Sequence, residues 1–318
     1  MHAAVLTEPN ALAPADVADP VPGAGEVLIE VAACGVCRTD LQIVRGDLPM
    51  RRAPLIPGHQ VVGRIAGSGE RVGLAWLGGA DGSCRQCRAG LENLCDQAEF
   101  TGWTRDGGYA ELVTARADFV YPLPEGLSDI EAAPLLCAGI IGYRSLRLSG
   151  IQPGGLVGLF GFGSSAHLAI QVARHWGCDV AVFGRSERER ERATALGAAW
   201  TGGYDDRPPQ PLDAAVTFAP VGSVVVSALR AIAPGATVAI NAIHLDRMPE
   251  FDYDLLWRER SLRSIANFTR EDAREFLHLA AEIPIRPETV VFALDEAAEA
   301  LRRLEAGEIA GAAVLRVR

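Results

Sequence analysis

Two short stretches carry side chains that can hold a metal ion and move a proton. One is Val31-Ala-Ala-Cys-Gly-Val-Cys-Arg-Thr-Asp40; the other is Ile56-Pro-Gly-His-Gln60. The alternating β-branched run Val27 to Val31 predicts a strand, and Gly35 a sharp turn after it. Cys37, Arg38, Thr39 and Asp40 then stand at the mouth of a helix. His59 sits in a Pro-Gly turn ahead of a second strand, Val61 to Ala66. A thiolate and an imidazole on two such turns supply the first two ligands of a zinc ion. Taken singly, Cys37 reads as a small buried thiol and His59 as a hydrogen-bonded ring. Asp40 is placed to orient the imidazole as a carboxylate behind the metal.

Gly-Val-Cys-Arg-Thr-Asp and Pro-Gly-His resemble the zinc-containing alcohol dehydrogenases of the medium-chain dehydrogenase/reductase superfamily, and the resemblance runs over nearly the whole chain. It implies a mainly β GroES-like catalytic domain plus a doubly wound parallel Rossmann domain. It makes Cys137 the third catalytic zinc ligand; alone, Cys137 in Ala133-Pro-Leu-Leu-Cys137 reads as a core cysteine. It assigns Thr39 the proton of the substrate oxygen and Arg38 the cofactor pyrophosphate. Three positions depart from the family. Gln42 replaces the histidine that ends the proton relay in many relatives. Gln60 replaces a glutamate, and Ile141 a threonine beside the nicotinamide. The pocket for an apolar alcohol is expected at Leu48, Trp76 and Trp103, with Ile141 near the nicotinamide.

A second cluster reads Asp81-Gly-Ser-Cys84-Arg-Gln-Cys87, then Cys95. The family's structural zinc uses four cysteines spaced C-x2-C-x2-C-x7-C. Three cysteines match here, and Asp81 stands where the first belongs. A carboxylate can ligate zinc, as a harder donor than a thiolate. The alternative is a metal-free lobe with three reduced thiols.

The strand Leu156 to Phe160, the turn Gly161-Phe162-Gly163-Ser164-Ser165-Ala166 and a helix from Ser164 to Trp176 fit a dinucleotide fingerprint, G-x-G-x-x-A. Gly161 allows the turn, Gly163 admits a pyrophosphate, and Ala166 lets helix and strand pack closely. A second strand follows at Asp179 to Phe183. NAD enzymes carry an acid at its end for the ribose hydroxyls. This chain reads Gly184-Arg185-Ser186, with Arg188 close behind, so a 2′-phosphate has a cation and a hydroxyl to meet. NADP is therefore the expected cofactor, ahead of NAD. Further cofactor contacts are expected at the strand ends Phe218, Asn241, Ile243, Ala266 and Asn267.

The chain of 318 residues is too long for one core. A catalytic first part over residues 1–138, a Rossmann domain over 139–265 and a return over 266–318 are expected. Residues 128 to 148 read as one helix, opened by a Ser128/Glu131 capping box. The net charge of -10 argues against nucleic acid or an anionic membrane as partner. No apolar run reaches the length of a membrane span, and no signal peptide is evident. Tight clusters among the seven cysteines favour metal over disulfides and a cytoplasmic setting. Relatives form homodimers or homotetramers, which the resemblance extends to this chain. Two rival functions remain open: a zinc-free quinone or enone reductase of the same superfamily, and a non-catalytic redox sensor. The first has no use for Cys37, His59 and Cys137 together, the second none for Thr39.

Overall fold

A computed structural model describes residues 1–243 and 245–318. The chain divides into two compact units, one of Met1–Ile140 with Asn267–Arg318, the other of Ile141–Ala266.

In the first unit a hairpin of β1 (His2–Leu6) and β2 (Leu12–Asp16) precedes the long β3 (Glu26–Val36). β3 leads through Cys37 into α1 (Arg38–Arg45). Then come β4 (Gln60–Ile65), β5 (Arg71–Leu74) and β6 (Leu77–Gly79). The one-turn α2 (Arg85–Arg88) is followed by β7 (Glu99–Phe100), β8 (Leu112–Arg116) and β9 (Val120–Pro122). β3 runs five residues past the expected Val31. Its second half is paired on both sides, Gly35 facing Gln60 in β4 and Cys34 facing Leu315 near the C-terminus. That double pairing carries the strand, past a register shift between Val31 and Ala33, to the residue before Cys37. The run Tyr109 to Thr114 predicts a strand; β8 starts only at Leu112, because Tyr109 is drawn into the loop around Gly58. The short link Ala66 to Glu70 closes the β4–β5 turn at the far end of β4 from His59.

The expected helix over 128 to 148 is broken. α3 (Asp129–Ala132) gives way to a 3-10 turn, Ala133–Leu136, and Cys137 leaves helical geometry at φ -135 and ψ -70 before α4 (Ala138–Ser149) begins. Pro134 has no amide hydrogen to continue the ladder. Leu135 and Leu136 are fully buried, and a Cβ on Gly73 would lie 2.5 Å from Leu136, so the glycine opens the slot that the leucine fills. Packing of the break overrides the periodicity.

The second unit is a parallel sheet. β10 (Leu156–Phe160), β11 (Asp179–Phe183), β12 (Trp200–Gly202), β13 (Ala214–Thr217), β14 (Thr237–Ile240) and β15 (Ser261–Ser264) lie in the order β12-β11-β10-β13-β14-β15. α5 (Ser164–His175), α6 (Glu187–Ala195) and α7 (Gly222–Ala231) connect them. The runs Leu212 to Thr217, Ala236 to Asn241 and Leu262 to Asn267 predict three of these strands; β13 and β14 fall inside their runs, while β15 overlaps its run but ends at Ser264, with Asn267 left-handed at φ 60. The chain then returns to the first unit through α8 (Arg270–Glu282), β16 (Thr289–Ala293), α9 (Ala297–Glu305) and β17 (Ala312–Arg316), which pairs with β3. Among the described residues no helix is long and apolar enough to cross a membrane.

His2 ties the N-terminal hairpin to the chain near α9, with Nδ1 3.0 Å from Asp16 and Nε2 2.6 Å from Asp295. Both carboxylates raise its pKa. A raised histidine contributes stability that is present in full below its unfolded value of about 6.5 and fades as pH climbs through the folded value. The wild-type melting temperature should therefore fall more between pH 6 and pH 8 than that of His2→Gln. Parallel curves would remove His2 as the cause.

Candidate metal and nucleotide sites

Cys37 is the N-cap of α1, so the end of β3 aims its thiol and the first helical turn supplies its neighbours. Asp40 closes back on the cap, its Oδ2 accepting from the Cys37 amide at 2.8 Å. The same oxygen accepts from the Tyr109 hydroxyl at 3.1 Å, and Oδ1 lies 2.9 Å from His59 Nδ1. Asp40 and His59 are almost wholly buried. Gly58 makes the approach possible: it sits at φ 95, and a Cβ there would lie 2.3 Å from the Tyr109 ring. The break after α3 brings Cys137 to the same place. One donor atom each from Cys37, His59 and Cys137 lies within 4.8 Å of the others. Tetrahedral zinc, with sulfur at about 2.3 Å and nitrogen at about 2.0 Å, sets its donors roughly 3.5–3.8 Å apart, so small side-chain adjustments suffice. Because Nδ1 is committed to Asp40, Nε2 is the imidazole donor left for a metal.

The electrostatics fit a cation. The Cys137 thiol holds Cys37 well below the ordinary thiol range, and the same contact together with burial pushes Cys137 well above it. Burial disfavours a charged His59, yet Asp40 and Cys37 outweigh it and push the ring up to about 10. Without a metal, protons on His59 and Cys137 compensate a buried negative cluster; a divalent cation can replace them.

Thr39 Oγ1 lies 3.7 Å from the Cys37 sulfur, and Arg38 is exposed on the first turn of α1. Gln60 is buried against Gly35. Trp76 meets His59 edge-on at 4.9 Å and stacks on Phe100 at 5.1 Å and Trp103 at 5.9 Å. The Trp103 indole donates to the Pro49 carbonyl at 3.0 Å, and the Arg51 guanidinium covers its ring at 5.3 Å. Leu48 lies in that same loop, half-buried. Trp76 and Trp103 thus sit together beside the metal donors. Ile141 opens the other unit, where its carbonyl accepts from Ser145.

Asp81, Cys84, Cys87 and Cys95 form a second group, of four donors, again within 4.8 Å of one another. The backbone shapes it for anionic donors. Asp81 Oδ1 accepts from the amides of Cys84 at 2.8 Å and Ser83 at 2.6 Å, which hold its carboxyl well below the usual range. The Cys84 and Cys95 sulfurs accept from the amides of Cys87 at 3.4 Å and Gln97 at 3.3 Å. Burial pushes Cys87 up to about 12. Buried Glu92 moors the lobe, accepting from the Arg270 amide at 2.8 Å and its guanidinium at 3.1 Å at the start of α8.

In the second unit the carboxyl ends of six parallel strands share one sheet edge. Gly161 follows β10, Gly184 follows β11, Phe218 follows β13, and Asn241 and Ile243 follow β14; Ala266 comes two residues after β15. Ligands of such sheets bind beyond that edge, where the strand order reverses, here between β10 and β13. Gly161 adopts φ 92, and a Cβ on it would press the Ala219 amide at 3.0 Å. Gly163 opens on empty space and caps α5 with no side chain, leaving the helix amides at Ser164 and Ser165 for a phosphate. The residues fit a nucleotide. Arg185 is exposed, and Ser186 is the N-cap of α6. Asn267 belongs to the first unit, with its side-chain amide nitrogen buried and unpartnered.

Comparison with known proteins agrees with this arrangement. Residues 23–125 match the alcohol dehydrogenase GroES-like domain, and residues 166–282 the zinc-binding dehydrogenase domain. A protein named probable alcohol dehydrogenase AdhA, from Mycobacterium tuberculosis (strain CDC 1551 / Oshkosh), is 50% identical over 311 residues, covering 93% of this chain and 90% of that one. The chain belongs to the zinc-containing alcohol dehydrogenase family of the medium-chain dehydrogenase/reductase superfamily. An alcohol dehydrogenase of Geobacillus stearothermophilus is 34% identical over 100% of this chain and 99% of its own. Among solved structures, an NAD-dependent alcohol dehydrogenase superposes with a TM-score of 0.89 at 26% identity over the whole of both chains. The enzyme of the archaeon Aeropyrum pernix gives 0.88 at 28%, also over both whole chains.

Two contributors escaped the sequence reading. Tyr109 was legible only as a strand start, although a Gly-Gly-Tyr following a Gly-rich loop could have marked a close approach. The run Glu187-Arg188-Glu189-Arg190 has the charge pattern of a solvated helix face, which hides that Ser186-x-x-Glu189 is a capping box.

Proposed function

We propose that this protein is a zinc-dependent alcohol dehydrogenase. It would carry hydride reversibly between a primary or secondary alcohol and a nicotinamide cofactor, with NADP preferred to NAD. The observation that carries this reading is the convergence of Cys37, His59 and Cys137 from three distant parts of the chain. A zinc ion on these donors would act as a Lewis acid on the substrate oxygen and ease loss of its proton. Thr39 is the hydroxyl that would take that proton from the substrate O–H, and a bound nicotinamide would supply the acceptor for the carbinol hydride. Gln42 cannot act as a base, so a proton passed on from Thr39 would go to water rather than to that side chain. Asp40 fixes the His59 tautomer, and Trp76 and Trp103 shield the donors from water. Arg38 and the α5 amides would hold the pyrophosphate, and Arg185 and Ser186 the 2′-phosphate.

Purified protein should oxidise apolar alcohols with NADP, with a higher kcat/KM than with NAD, and should lose the activity on zinc chelation. Chelator-insensitive reduction of enones would sink the zinc reading, and a higher kcat/KM with NAD the cofactor preference.

We assign a structural zinc to Asp81, Cys84, Cys87 and Cys95. Asp81→Ala should drop bound zinc from two per chain to one and lower the melting temperature, while leaving alcohol oxidation measurable at low temperature. Unchanged zinc content would remove Asp81 as a ligand. The reading includes a cytoplasmic homodimer or homotetramer. β15 lies at the sheet edge with mostly exposed residues, and Tyr253 and Trp257 stand 66% and 59% exposed, an apolar pair suited to a second copy.

A further inference from the structure

The end of β11 holds a carboxylate that the local sequence conceals. No acid stands at Gly184, Arg185 or Ser186. The structure nevertheless folds the side chain of Glu189 back from the first turn of α6 onto this turn. Its Oε2 accepts from the Arg185 amide at 2.7 Å and the Ser186 amide at 3.4 Å. A Cβ on Gly184 would lie 3.1 Å from Glu189 Cβ and 3.3 Å from its carboxylate oxygen, so the glycine makes room for the acid. Arg190 closes the other flank, donating to the Gly184 carbonyl at 3.0 Å. Ser186 Oγ accepts from the Glu189 amide at 3.3 Å. The turn therefore carries the Glu189 carboxylate on the backbone amides of Arg185 and Ser186, with Arg185 itself exposed.

We infer that Glu189 is a cofactor-specificity residue, setting a ceiling on the preference for NADP that Arg185 establishes. The inference rests on the proposed nucleotide site. A 2′-phosphate brings two negative charges to the turn. The guanidinium attracts them, and the carboxylate, held by the amides that could otherwise receive a phosphate oxygen, repels them. A ribose 2′-hydroxyl carries no charge and is indifferent to the difference, or gains an acceptor. The balance differs from that of an acid directly on the strand end: here the repelling group is part of a helix cap, so a neutral replacement can keep the cap.

Glutamine at the third helical position also closes a capping box, which makes Glu189→Gln the test. Binding is read by calorimetry with adenosine 2′,5′-bisphosphate and with AMP, which differ at the 2′ position. Glu189→Gln should bind the bisphosphate about tenfold more tightly than wild type and AMP within about twofold. Arg185→Gln should do the reverse, weakening the bisphosphate about tenfold and leaving AMP alone. Glu187→Gln, on the same helical turn but with its side chain exposed, should move the ratio far less. Wild-type AMP binding with a ratio unmoved by Glu189→Gln overturns the inference, as does an equal effect of Glu187→Gln. If wild-type protein binds neither ligand, the nucleotide site fails and the inference with it.

Discussion

Cys137→Ala is expected to lower kcat/KM for alcohol oxidation by about a thousandfold or more. A Lewis-acidic metal contributes several kcal/mol to the transition state, and each 1.4 kcal/mol is about tenfold in rate. Cys37 and His59 alone would leave two protein donors where a catalytic zinc takes three. The fold should survive. Cys137 sits at the break between the 3-10 turn and α4, and the break is held by Pro134 and by buried Leu135 and Leu136, which the substitution leaves in place. Bound zinc should fall by one ion per chain. The ion assigned to the lobe should stay, because Cys84, Cys87 and Cys95 lie in a separate cluster moored through Glu92 to α8. Retained activity with unchanged zinc would end the claim that Cys137 is a ligand. Loss of both ions with a collapsed melting curve would mean instead that Cys137 holds the fold.

That variant also marks where the sequence stops being readable. The lobe was legible because its spacing is local: Asp81 to Cys95 close on themselves within one loop. The β10–α5 fingerprint was legible for the same reason, and strand β11 fell at its expected bounds. Cys137 was identifiable only by resemblance. Periodicity ran one helix straight through it, and what turns the thiol toward Cys37 is the burial of Leu136 over Gly73, a contact across more than sixty residues. β17 was similarly hidden, since its pairing with β3 joins opposite ends of the chain. Asp40 was readable as the partner of His59. Its contact with Tyr109 depends on how closely the loop at Gly58 can pass the ring, which no local pattern reports. Trp76 and Trp103 were named for their chemistry; that Trp76 stacks on Phe100 and on Trp103, with Arg51 over the Trp103 ring, is a tertiary fact.

Asp40→Asn should expose how much of the site rests on that buried carboxylate. Its two oxygens take three donors: the Cys37 amide, the Tyr109 hydroxyl and His59 Nδ1–H. Asparagine offers one oxygen and one NH2 group. If the NH2 faces His59, Nδ1 must accept and the ring proton moves to Nε2, the atom left for the metal. If it faces the other way, it meets the Cys37 and Tyr109 donors head-on. Either orientation leaves a buried polar group unpaired, at about 1–3 kcal/mol of folding stability. Loss of a carboxylate behind a metal-binding histidine also costs about 10- to 100-fold in metal affinity or activity. The expected result is a loss of kcat/KM in that range that added zinc partly restores, together with a lower melting temperature. Tyr109→Phe removes one donor and should cost much less. In the double variant the hydroxyl no longer opposes the amide, so the two stability losses should sum to more than the loss measured together. Strict additivity would mean that Tyr109 and Asp40 act independently, and an Asp40→Asn enzyme with wild-type zinc affinity would show that the imidazole needs no carboxylate to present Nε2.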